Sequence, residues 1–172
     1  HKAIRRQRQM CIRDRCKEKL LKKAECESFP WGKKADKVDY GVMYESRYKL
    51  LKIAFERFLR AEPDDFEAFC EKEADWLSDY ALFMALKDAN GGNAWFSWEK
   101  DLKMRKPEAL AEARSTYAKD IRFYQMLQYL FFKQWWELKA YVNEKGIEII
   151  GDVPIYVAGD SADVWACLLY TS

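Results

Sequence analysis

The sequence carries a single histidine, His1, and its five cysteines (Cys11, Cys16, Cys26, Cys70 and Cys167) include no Cys-x-x-Cys pair. Zinc centres draw on clustered Cys and His, and Ser-His-Asp catalysis needs an internal imidazole, so neither chemistry finds its residues here. An odd number of thiols without a paired framework suits a reducing compartment. Long apolar runs are also missing. Nothing approaches the roughly 18 residues that span a bilayer, and the N-terminal stretch has no signal-peptide core. These absences lead us to expect a cytoplasmic protein with no metal and no membrane segment.

What is present is apolar text mixed with charge. The 172 residues are 49% apolar and 34% charged, which fits a soluble globular chain of one domain with room for a core. Aromatics reach 16%, with 7 Trp. Most must be buried, because each ring removes a large apolar area from water, and the excess leans towards a sugar or base partner. The formal charge of +2 hides an asymmetry. Residues 1–23 hold 10 Lys/Arg against 2 acids, a net of +8, so residues 24–172 are 20 minus 26, or −6. A basic arm on an acidic body is one way to bind nucleic acid, and a solvated or non-native terminus is the other reading.

Periodicity predicts helix after helix. Tyr44, Tyr48, Leu51, Phe55 and Phe58 recur at spacings of three and four, predicting a helix from about Val42 to Leu59. ESFPWGKKADK (27–37) reads as a loop. Pro63, Asp64 and Asp65 supply a stop and a cap, followed by one helical run with Phe66, Phe69, Cys70, Trp76, Leu77, Tyr80 and Met84 on one side. Asn90-Gly91-Gly92 ends that run, and Pro107 suits the first turn of another helix. Residues 119–145 form the most apolar helix, with a stripe of Tyr124, Leu127, Phe131, Trp135, Leu138 and Val142. Phe132 and Trp136 widen this stripe, which predicts packing on two sides. Gly146 ends it, and Ile147–Ile150 predicts a short buried strand.

The segment that follows, GDVPIYVAGDSADVW (151–165), sets three acids in a Pro/Gly-containing loop. Burying an unpaired carboxylate costs several kcal/mol, so these acids either organise the backbone or line a site. Helix, glycine, strand and acidic loop together make the αβ unit of a parallel α/β protein, whose ligands bind beyond strand C-termini. Asp152 then either caps a turn or faces that site. Asp160-Ser161 either caps a helix starting at Ala162, with Asp163 at its positive end, or lines the loop. Trp165 is either core or a ligand platform, and Tyr156 can point either way.

The string GDVPIYVAGDSADVWA resembles the conserved stretch of the 4-α-glucanotransferases, also called amylomaltases or disproportionating enzymes (glycoside hydrolase family 77). Upstream, VDYGVMYESRYKLLKIAFERF, DWLSDYALFMALKDANGGNAWFSW and QYLFFKQWWELKAYVNEKGIEIIGD are similar to the same family, so the resemblance covers about residues 27–166. HKAIRRQRQMCIRDR (1–15) and CLLYTS (167–172) have no counterpart in that pattern and resemble translated sequencing-adapter text, so both are set aside. Without them the body is acidic.

The resemblance implies an α/β fold: part of a (β/α)₈ barrel of the α-amylase superfamily. Residues 16–118 would be a helical insertion and 119–166 a barrel helix, strand and acidic loop. A whole barrel needs about 250 residues, so this length cannot close one. The implied reaction moves α-1,4-linked glucose segments to an acceptor sugar by a retaining double displacement, without organic cofactor or metal. Retention by this route needs two carboxyl groups about 5 Å apart. In the family the nucleophile and acid/base belong to motifs that this sequence does not contain, so turnover by this chain alone is not expected. What carries over is Asp152 as an active-site support, Pro154 and Tyr156 as walls, and Asp160, Ser161, Asp163 and Trp165 as site-loop residues. The expected partners are maltodextrins and other α-1,4-glucans, rather than nucleic acid or membrane. The competing assignments are a helical module using the basic arm to bind nucleic acid or protein, and a glucan-binding segment without turnover.

Overall fold

Every regular element among the described residues is helical. The computed structural model describes residues 16, 18–31, 39–152 and 155–167. The chain divides into two units, His1–Pro63 and Asp64–Ser172. The basic arm (1–15), Pro154 and the tail 168–172 lie outside the described residues.

In the first unit, α1 spans Lys23–Ser28 and α2 spans Tyr40–Phe58. Asp39 caps α2 by accepting from the Val42 amide at 3.1 Å, which satisfies one of the free donors at a helix start. The buried face runs through Ser46, Leu50, Ala54, Phe55 and Phe58. It is rotated from the predicted stripe, so Tyr44 faces solvent. Arg57, in the last turn of α2, donates to the Leu20 carbonyl at 3.0 Å and to Glu25 Oε2 at 2.7 Å. This guanidinium, with the Lys22 amide, lowers the Glu25 pKa to about 2.

The second unit holds α3 (Asp65–Lys72), α4 (Ala74–Ala89), a 3₁₀ turn (Trp95–Ser97), α5 (Lys100–Lys103), α6 (Pro107–Thr116), α7 (Ala118–Glu144) and α8 (Ala162–Ala166). The single helix expected after Pro63 is two helices. Glu73 departs from helical geometry between them, at φ −97° and ψ 12°, and its carboxylate accepts from the Trp76 indole at 2.8 Å. Gly91 and Gly92 end the α4 region at φ +65° and +79°, and the Gly92 amide donates to Lys87 O at 2.8 Å. Only glycine takes two successive left-handed residues readily, so the Gly-Gly pair forms the turn that points the chain towards Trp95.

The long helix α7 packs against α3, α4 and α6. It buries Phe123, Tyr124, Met126, Tyr129 and Leu130, all in its first half. Two buried tyrosines keep their hydroxyls satisfied, Tyr124 donating to Asp88 at 2.6 Å and Tyr129 to Asp65 at 2.7 Å. The second half differs from expectation. Phe131, Trp136, Leu138 and Tyr141 are exposed, so of the two residues that widen the stripe only Phe132 finds partners, Phe69 and Trp76, while Trp136 stays open among the described residues.

Gly146 at φ +71° stops α7, as its place in the sequence predicts. The next expectation fails. Ile147–Ile150 is not a strand, and Ile150 is 94% exposed. A strand exists only through its hydrogen-bonded ladder, and no second strand is present among the described residues. The α/β expectation is therefore met on its helical side only.

Candidate functional site

The acidic segment has two parts that behave differently. From Glu148 to Ala158, no described residue makes a hydrogen bond or an ion pair, and all are exposed. Asp152 lies here with its carboxylate open to solvent, and Tyr156 is 89% exposed. Pro154, between them, is outside the described residues.

From Gly159 to Ala166 the chain is fixed. The Asp160 carboxylate pairs through Oδ2 with Lys87 in the last turn of α4, and its Oδ1 accepts from the Trp95 amide at 3.2 Å. The Trp95 indole donates to the Gly159 carbonyl at 2.8 Å. The hydrogen bond from the Lys87 ammonium, above all, holds the Asp160 carboxyl below its usual range; it outweighs the opposing effect of burial, and the Trp95 amide adds to it. Ser161 is the N-cap of α8, its Oγ accepting from the Val164 amide at 3.3 Å, and Asp163 is exposed in the first turn. This is the capping arrangement that the spacing allowed.

Trp165 is the deepest anchor, with 0% of its surface exposed. Its ring lies 5.7 Å from Trp98 and 5.8 Å from Phe83, and its indole donates to Leu102 O at 3.2 Å. Arg105 covers the ring with its guanidinium 4.3 Å from the centroid. That arginine sits at φ +52° and is held by Asp79 at 2.8 Å, while Asp79 also receives Arg114 at 3.2 Å. A non-glycine residue in the left-handed region costs about 1–2 kcal/mol. The ring stack and the ion pair offset that cost.

The structure thus joins Asp160, Ser161 and Trp165 into one docked turn, and leaves Asp152, Tyr156 and Asp163 facing solvent. Asp160 is engaged twice and is no free acid, whereas Asp152 remains available to a ligand. Sequence reasoning missed Lys87, Trp95 and Arg105. The local signal is the pair Trp95 and Trp98 soon after Gly92, which carries no periodic link to the acidic loop.

Comparison with known proteins identifies the family. The family model for glycoside hydrolase 77, described as 4-alpha-glucanotransferase, matches residues 6–169. A 4-alpha-glucanotransferase of Thermus thermophilus is 49% identical over 146 residues, covering 83% of this chain and 28% of its own length. One from Clostridium butyricum is 42% identical over 147 residues, covering 86% and 30%. Among solved structures, an amylomaltase from Streptococcus agalactiae in complex with acarbose superposes with a TM-score of 0.84 at 37% identity. That match covers 90% of this chain and 32% of the amylomaltase. The chain spans about 30% of the length of the curated relatives it matches.

Proposed function

From the premise that this chain belongs to glycoside hydrolase family 77, the 4-alpha-glucanotransferases, we propose that it forms one acidic wall of a glucan site. The enzyme containing it moves α-1,4-linked glucose segments from a donor to an acceptor sugar. The nucleophile and acid/base come from outside this sequence, so the segment alone binds or shapes without turning over. Asp152 supports the reacting carboxylates electrostatically, and Pro154 and Tyr156 shape the wall beside it. Asp160, Ser161 and Trp165 keep the loop in place, and Asp163 has the smallest part.

The observation that carries this reading is the openness of Asp152. A carboxylate in a strongly apolar segment stays accessible, next to isoleucines that face solvent. Apolar runs of this kind are buried when they enter a parallel sheet covered on both faces. In the whole enzyme Ile147–Ile150 joins such a sheet as a barrel strand, which carries Asp152 to the strand's C-terminal end, where barrel enzymes gather their catalytic groups. A double displacement there hands the glycosyl-enzyme to a sugar hydroxyl, so the site must restrict water.

The test is made in a full-length enzyme carrying this segment, with maltotriose as substrate and product lengths followed by chromatography. Asp152→Ala should reduce transfer by about 100-fold or more, the range for loss of an aligned electrostatic group. Asp163→Ala should leave most of it. Equal activity of the two variants refutes the assignment of roles. This chain alone, mixed with maltotriose, should yield neither longer nor shorter maltodextrins.

A further inference from the structure

We infer that Lys87, on a helix distant in sequence from the acidic segment, is a positioning residue for that segment. This inference rests on the glucan-site reading of Asp152 and Tyr156, and adds the group that sets where they stand. None of the described residues from Glu148 to Ala158 makes a hydrogen bond, so the fixed points that bracket them are the two ends of the stretch. The upstream end is the turn at Gly146, where the Ile147 amide donates to Val142 O at 3.1 Å. The downstream end is Gly159-Asp160.

That downstream end is governed by one side chain. Lys87 comes from the last turn of α4, and its ammonium stands 5.7 Å from the centre of the Phe83 ring while it pairs with Asp160. Asp160, so held, presents its other oxygen to the Trp95 amide, and the Trp95 indole then meets the Gly159 carbonyl. The order matters chemically. The Trp95 amide contact needs the Asp160 carboxylate turned towards it, a placement that its ion pair with Lys87 favours, and the indole contact to the adjacent Gly159 carbonyl follows from the backbone position that results. Trp165 does not depend on it, because its partners are Phe83, Trp98, Leu102 and Arg105. Removing the ammonium therefore loosens the start of the docked turn while its buried rear anchor stays seated. The open segment ahead of Gly159, which bears Tyr156 and Asp152, then loses its fixed end.

Two measurements test this. The first is proton exchange in this chain by NMR. Lys87→Met should lower protection of the Trp95 amide and indole protons by about tenfold or more, while the Trp165 indole keeps its protection. Unchanged protection at Trp95, or parallel loss at Trp165, overturns the inference. The second is kinetic, in the full-length enzyme carrying this segment. Lys87→Met should lower kcat on maltotriose by about tenfold or more through misplacement of the wall. KM should stay within about twofold, and Lys87→Arg should recover kcat to within about threefold because it restores the cation. Lys106→Met, which breaks the exposed Lys106–Asp101 pair at 2.9 Å, is the control for general loss of a surface charge and should leave kcat unchanged. A kcat indifferent to Lys87→Met, or a loss that arginine does not restore, overturns the inference. An unsubstituted enzyme that makes no transfer products overturns the glucan reading instead.

Discussion

Residues 147–158 and 159–166 adjoin in one motif, yet they are held in opposite ways. The first stretch is rich in isoleucine and, beyond the Ile147 amide that donates to Val142 O, makes no hydrogen bond or ion pair among the described residues. The second is rich in acids and small residues, and it is pinned by an ion pair, three hydrogen bonds to other elements and a fully buried tryptophan. Hydropathy alone would have ranked them the other way round. What decides burial here is the supply of partners: α4, the 3₁₀ turn and α5 present a ready pocket for Trp165, whereas an isoleucine run needs a neighbouring strand. The contrast also separates two duties. Residues that fasten the loop are engaged and unavailable to a ligand, while those left open are free to meet one.

The sharpest way to break that contrast is to remove the buried anchor. Trp165→Ala should destabilise the second unit by about 3–5 kcal/mol, the usual cost of deleting a large aromatic from a packed site. Urea unfolding followed by far-ultraviolet circular dichroism measures it. A cost under about 1 kcal/mol would mean that α8 is not docked as described. Asp160→Ala should cost less, about 1–3 kcal/mol, because it leaves the Trp95 amide and the Lys87 ammonium unsatisfied but only partly buried. The same urea titration reads it, and a midpoint equal to the parent's would sink the clamp.

Acid should act on the fixed stretch. Asp160 has a folded-state pKa below its ordinary 3.8, so its ion pair contributes fully above about that pH and is lost as pH falls below it. The first unit offers an independent comparison. Glu25 drops from 4.5 to about 2, so its contribution is whole above pH 4.5 and fades between 4.5 and 2. Glu25→Gln should flatten that unit's acid limb, and Asp160→Asn should flatten that of the second. Stability–pH curves of the two variants that superpose on the parent's below pH 4.5 would contradict both pairings.

Much of this architecture was legible in the sequence. The start of α6 and the stop of α7 follow from Pro107 and Gly146, each acting within one turn of its own position, whereas the α2 start, set by the Asp39 cap, lies two residues before the expected Val42. The N-cap at Ser161 is equally local. The buried face of α2 was misjudged because tyrosines at helical spacing look apolar, although their rings can stay in water. The exposed second half of α7 and the missing strand share one cause: apolar residues record that a partner is needed and say nothing of where it is. The clamp on Asp160 was illegible for another reason. Its partners Lys87 and Trp95 lie 73 and 65 residues away in sequence, and an ion pair of that separation leaves no periodic trace.

The smallest effect is expected where the chain is most apolar. Ile150 is 94% exposed, so its side chain is already in water in the folded unit and gains almost nothing from folding. Ile150→Thr should therefore change the unfolding free energy of this chain by no more than about 0.5 kcal/mol, the range of ordinary surface substitutions. In a full-length enzyme the same change should cost about 1–3 kcal/mol if, as proposed, the isoleucine enters a sheet there, because threonine would bring a hydroxyl into an apolar layer. One substitution measured in two contexts isolates what the missing partner strand contributes. Equal small costs in both would mean that Ile147–Ile150 stays exposed in the whole enzyme and that Asp152 is not carried to a strand end.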